Sequence, residues 1–205
     1  MSSDLQAVWL TALLAATTAL LLVPLASPLA WWLARSTSSS RSVIEAVVAM
    51  PLVLPPTVLG FYLLIMLNPE SAAGSLWVEL TGDSLTFSFS GLVIASIIYS
   101  LPFMVQPLQA GFRAVPESVL EAAATLGASP RDRWLNVVLP MAKRGYLTGC
   151  VLTFAHTVGE FGVVLMMGGN IPGETRVLSI AIYEHVETLN YDAAHVLALG
   201  LLGFS

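Results

Sequence analysis

The chain has 205 residues, 56% hydrophobic and 10% charged, with 8 basic against 13 acidic side chains, a net charge of −5 and a mean hydropathy of +0.80. A soluble globular domain carries about 25% charged residues, so there are too few polar groups here to face water on all sides. The acidic balance also offers no positive field for nucleic acid. Cys150 is the sole cysteine, which excludes an internal disulfide and a cysteine-built metal cluster.

A helix needs about 20 apolar residues to cross a hydrocarbon core of roughly 30 Å. Four such runs occur, at 8–33, 43–67, 87–112 and 146–167. The first has Asp4 and no Lys or Arg ahead of it, unlike the basic start of a signal peptide, so it is read as a retained helix. A fifth run starts near Ala193 and reaches Ser205. At about 1.5 Å per residue it is too short to span, so the last helix is expected to be truncated or naturally short. The expected fold class is all-α: a polytopic transmembrane helical bundle forming one domain over residues 1–205.

Charge orients the runs. Arg35, Arg41, Arg113, Arg131, Arg133, Lys143 and Arg144 fall in the first and third connections, and only Arg176 lies on the other side. The second connection, 68–86, contains Glu70, Glu79 and Asp83 and no base. By the positive-inside rule the first and third connections are cytoplasmic and the N-terminus lies outside.

Residues 111–144 form the long basic connection and have helical texture. Pro116-Glu117-Ser118 suits a helix start, and Glu121-Ala122-Ala123-Ala124-Thr125-Leu126 continues with helix formers. Gly127 fits a left-handed cap. Ser129-Pro130 then reads as the N-cap and first residue of a second short helix. Helix, glycine, helix makes a compact knob. On texture alone an amphipathic helix on lipid phosphates is the competing reading.

The run Glu121-Ala122-Ala123, then Gly127, then Val137-Val138-Leu139-Pro140 resembles the EAA signature of importer-type ABC permeases. That resemblance implies a MetI-like fold, a cytoplasmic coupling loop at 111–144 and docking on a separate ATPase subunit. Glu121, Ala122, Ala123, Leu126, Gly127, Leu139 and Pro140 would be the coupling residues. The match departs only at Val137, where isoleucine is usual. The chain has no G-x-x-x-x-G-K-[ST] phosphate cradle, so no catalytic residue and no cofactor are expected in it. ATP and magnesium would be bound by the partner.

Two further stretches narrow the resemblance: Leu54-Pro55-Pro56-Thr57-Val58-Leu59-Gly60-Phe61-Tyr62, and Gly159-Glu160-Phe161-Gly162 followed by Asn170-Ile171-Pro172-Gly173-Glu174-Thr175-Arg176. Together they are similar to the permease subunits of molybdate importers, relatives of the sulfate and thiosulfate permeases. This implies a homodimer around one pathway in the inner membrane of a prokaryote. It also implies an extracytoplasmic oxyanion-binding protein as partner, with tungstate or sulfate as alternative cargo.

The residues expected to line the pathway or its gate are Pro55, Pro56, Thr57, Thr157, Gly159, Glu160 and Gly162. Prolines break a helix by removing donors, and such breaks persist at membrane depth where protein or a wet cavity satisfies the freed groups. A mobile lining helix and a static kink remain equally open. A carboxylate repels an oxyanion, so Glu160 is assigned to holding or gating rather than to substrate contact. Thr153, Thr157 and the N–H groups near Gly159 and Gly162 offer weak polar contacts. Residues 170–190 form an outward surface, with Glu174, Arg176, Glu184 and Glu187 available for charge pairs or for plain solvation.

His156, His185 and His195 are too dispersed for a metal site. An intramembrane hydrolase, the main rival, would need a nucleophile–base pair at recognisable spacing, and none is present. A channel would not need a docking knob.

Overall fold

In the computed structural model residues 3–204 are described, and every regular element among them is helical. Helix α1 (Ser3–Arg35) and helix α5 (Phe89–Arg113) are long and apolar enough to cross a membrane. At about 1.5 Å per residue they measure roughly 50 and 37 Å. Between them lie α2 (Ser40–Ala49) with a 3₁₀ turn at Met50–Leu52, α3 (Pro56–Met66) and α4 (Ala72–Thr81). After α5 come α6 (Glu117–Thr125), α7 (Pro130–Arg133), a π-helical turn at Trp134–Val138 and α8 (Leu139–Gly159). Helices α9 (Gly162–Gly168), α10 (Leu178–Glu187) and α11 (Tyr191–Phe204) complete the described chain.

Two of the expected spans are not straight rods. The second bends by 106° between Leu52 and Pro56, and the fourth by 63° between Gly159 and Gly162. Pro55 takes an extended backbone (φ −57°, ψ 131°), as a residue before proline must, and that ends the 3₁₀ turn. In the fourth span Glu160 is extended (φ −68°, ψ 134°) and the helix restarts two residues later.

The bends divide the core in two. At the α6–α7 end, Leu22, Ala26, Ala30 and Leu33 of α1 pack on Met104, Val105, Leu108 and Phe112 of α5 and on Ala142 of α8. At the opposite end, Leu10 and Leu14 of α1 pack with Leu63 of α3, Leu92 of α5, Val163 and Met167 of α9, and Ile180 of α10. Lipid is as apolar as these side chains, so close packing rather than water exclusion must hold them. Accordingly, α5 and α8 cross with almost no gap: a Cβ on Gly145 would sit 2.7 Å from the Pro107 carbonyl oxygen. Each break places its two half-helices in different packing environments.

Candidate functional site

The knob between α5 and α8 is built as its residues dictate. Helix α6 ends in a paired cap: Gly127 N–H donates to the Ala124 carbonyl (2.9 Å) and Ala128 N–H to the Ala123 carbonyl (3.0 Å). That geometry requires φ of +84° at Gly127, a conformation glycine adopts without strain. Ser129 caps α7 by accepting from Asp132 N–H. Glu121, Ala122, Gly127 and Pro140 are exposed, Ala123 and Leu139 are half-buried, and Leu126 is 88% exposed at the tip. No residue of α6 is buried, so Leu126 stands bare at the tip of the knob.

The two breaks meet each other. A Cβ on Gly162 would lie 2.8 Å from Pro56 Cβ and 3.2 Å from the Thr57 nitrogen, so only glycine lets α9 lie this close to α3. Pro56, Thr57, Gly159, Glu160 and Gly162 share a cleft of about 520 Å³, with Tyr99 and His156 also on its wall. Pro55 precedes that wall on the exposed α3 entrance. Thr157 does not reach it: that hydroxyl is buried and bonds Ser100 Oγ at 3.1 Å. Thr153 is buried, and its hydroxyl has no hydrogen-bond partner among the described residues.

Glu160 is 4% exposed and accepts a hydrogen bond from Ser96 Oγ (3.0 Å), while its backbone carbonyl accepts from Ser179 Oγ (2.5 Å). Its second carboxylate oxygen has no hydrogen-bond partner among the described residues. The residue thus joins α5 and α10 to the broken joint of the fourth span. His156 stacks on Phe103 (4.0 Å), lies 4.7 Å from Tyr99, and meets Ser100 Oγ through Nδ1 at 2.9 Å. His156 is thus set among Ser100, Tyr99 and Phe103 rather than isolated, and neither this cluster nor the Ser96–Glu160 bond was legible from the sequence. The one available signal was the four-residue spacing of Ser96 and Ser100 on α5.

At the opposite end from the knob, Arg176 corrects an expectation. It is not a free surface charge: it is 5% exposed, and its guanidinium binds Asp4 (3.2 Å) and Glu184 (2.8 Å). Asn170 also donates to Glu184, and His185 Nε2 lies 3.3 Å from Asp4. The Asn170 hydrogen bond, then the Arg176 contacts, hold the Glu184 carboxyl below its ordinary range. Arg176 and Glu184 are therefore committed internally, whereas Glu174 and Glu187 stay on the surface. Thr175 fixes the turn by donating to the Gly168 carbonyl (2.6 Å).

The sequence pattern of the family described as "Binding-protein-dependent transport system inner membrane component" matches residues 26–205. Among curated proteins, the chain is 54% identical to the molybdenum transport system permease protein ModB of Azotobacter vinelandii, over 98% of this chain and 89% of that protein. It is 34% identical to ModB of Haemophilus influenzae over 90% and 81% of the two chains. It is 37% identical to ModB of Mycobacterium tuberculosis over 98% and 75%. The chain belongs to this family of inner-membrane transport components. It has the family's all-α permease fold and is a multi-pass membrane protein.

Proposed function

We propose that this chain is the membrane-spanning subunit of an ATP-driven molybdate importer, working by alternating access with a separate ATPase. The observation that carries the reading is the bare knob at Leu126 and Gly127, in a chain whose relatives are named molybdenum transport permeases. Residues 111–144 are the coupling loop, with Glu121, Ala122, Ala123, Leu126, Gly127, Leu139 and Pro140 as its docking and supporting residues. ATP and magnesium bind the partner, and this chain does no catalysis. The N-terminus lies outside, an orientation supported by the basic connections. Two ATPase subunits need two knobs and this chain supplies one, which supports a homodimer.

The cleft at the paired breaks, with Pro55, Pro56, Thr57, Gly159, Glu160 and Gly162, is the pathway or its gate. Thr157 acts behind it through Ser100. Glu160 holds the joint through Ser96 and Ser179 rather than binding the anion. Residues 170–190 form the outer face on which an oxyanion-binding protein docks. ATP drives the cycle only through its differential affinity for the inward- and outward-open states.

Proteoliposomes holding this chain, its ATPase and the binding protein should take up labelled molybdate on adding ATP, against excess sulfate. Uptake dominated by sulfate would move the cargo to the sister oxyanion. Gly127→Asp, which strains the left-handed cap, should abolish ATPase assembly. Full assembly and uptake in that variant would refute the docking role.

A further inference from the structure

The knob needs a root. Helix α6 buries none of its own residues fully, and only Leu120 in its first turn packs on the core, so a push on Leu126 reaches the membrane helices on the α5 side through that first turn. That turn is held by Arg35, the last residue of α1. Arg35 Nη1 donates to Glu117 Oε2 at 2.6 Å, and Nη2 donates to the carbonyls of Val115 (2.7 Å) and Phe112 (3.3 Å). Those carbonyls belong to the C-terminal end of α5 and the turn after it, where a helix leaves acceptors unsatisfied and favours a cation. One guanidinium therefore joins the end of α1, the end of α5 and the start of α6.

The side chain is braced as well as bonded. Its guanidinium carbon stands 4.9 Å over the Trp31 ring. Trp31 in turn meets Phe112 (5.4 Å) and Trp134 (5.1 Å) edge to face. Ser27, four residues earlier on the same face of α1, meets the Tyr146 hydroxyl of α8 at 2.9 Å. Ser27, Trp31 and Arg35 form one ridge that touches both roots of the knob: α6 through Arg35, and the π-helical turn before α8 through Trp134. A planar fork bonding in two directions at once suits this place, and the single ammonium point of lysine does not.

We propose that Arg35 is the positioning residue that carries movement of α6 into α1 and α5, so that its loss lets ATP be hydrolysed without transport. This rests on the docking role proposed above. The test uses the assembled complex of this chain with its ATPase and binding protein in proteoliposomes, measuring ATP hydrolysed per molybdate taken up. A wild-type complex without ATP-driven uptake would sink the functional reading itself, before any variant is compared.

Given a working wild type, Arg35→Gln should still co-purify with the ATPase, and its ATP-to-molybdate ratio should rise about tenfold, within the usual range of coupling between sites. Arg35→Lys should restore only part of the loss. An assembled Arg35→Gln complex with the wild-type ratio would overturn the proposal. If Arg35→Gln fails to assemble, Glu117→Gln decides, because it cuts the guanidinium's link to α6 and leaves its carbonyl bonds in place. A ratio raised about threefold would support the proposal, as a modest coupling change, and an unchanged ratio would overturn it.

Discussion

Helix α1 is fastened at both ends by arginines, and the two fastenings differ. At the end away from the knob, Arg176 is enclosed, its side chain 6% exposed, and it faces the carboxylates of Asp4 and Glu184. At the knob end, Arg35 is 24% exposed and shares its donors between one carboxylate and two carbonyls. An enclosed guanidinium between carboxylates has no good alternative when displaced, because each partner would be left charged and short of a mate. A guanidinium beside several carbonyls and water can trade one acceptor for another. The first arrangement fixes a position, and the second permits a change of angle while keeping the connection.

The contrast can be broken most directly at Arg176. Arg176→Ala leaves Asp4 and Glu184 without their cation and should cost about 3 kcal/mol, the low end for a broken buried pair because both carboxylates are partly exposed. Thermal unfolding in detergent would show it. A loss no larger than that of an exposed ion pair would mean that the two ends are alike. At the knob end packing should matter more than charge. Trp134→Ala removes ring contacts with Trp31 (5.1 Å) and Phe112 (5.5 Å). It should cost about 2 kcal/mol in the same assay, from lost aromatic pairing and burial.

The smallest effect concerns pH. The folded Glu184 carboxyl sits below its ordinary value of 4.5, so its stabilisation is full above that value and fades as pH falls through the lower folded value. Protection of the amides at 170–185, taken relative to their intrinsic exchange rates, should therefore fall in acid below about pH 4.5, and Glu184→Gln should remove the acid-dependent part. Unchanged acid dependence in Glu184→Gln would refute this role for Glu184.

Local features were readable in the chain because they depend on neighbours in sequence. Gly127 as a left-handed cap and Ser129 as an N-cap needed only the residues around them. The apolar runs likewise marked α1 and α5, since a run of about 20 apolar residues is enough to cross the hydrocarbon core. The prolines announced a break in the second span but not its 106° angle, which depends on α9 packing against α3. Helix α4 passed for a loop, although Ser71 caps it by accepting from Gly74 N–H. Least readable were the distant polar pairs: Ser96 with Glu160, Arg35 with Glu117, and Asp4 with Arg176, up to 172 residues apart. Nothing in one sequence ties such residues together until the helices are packed, so Arg176 passed for a surface charge.

The π-helical turn at Trp134–Val138 has a consequence for phase. Leu139 N–H reaches back to the Trp134 carbonyl, five residues away instead of four. An ordinary helix rotates about 100° with each residue, so the widened turn takes in a residue without the matching rotation. The knob and α8 are thereby set at an azimuth that a regular helix of the same length would miss. Trp134 faces the α1 ridge because of that offset, and the segment acts as a shim between two otherwise regular helices.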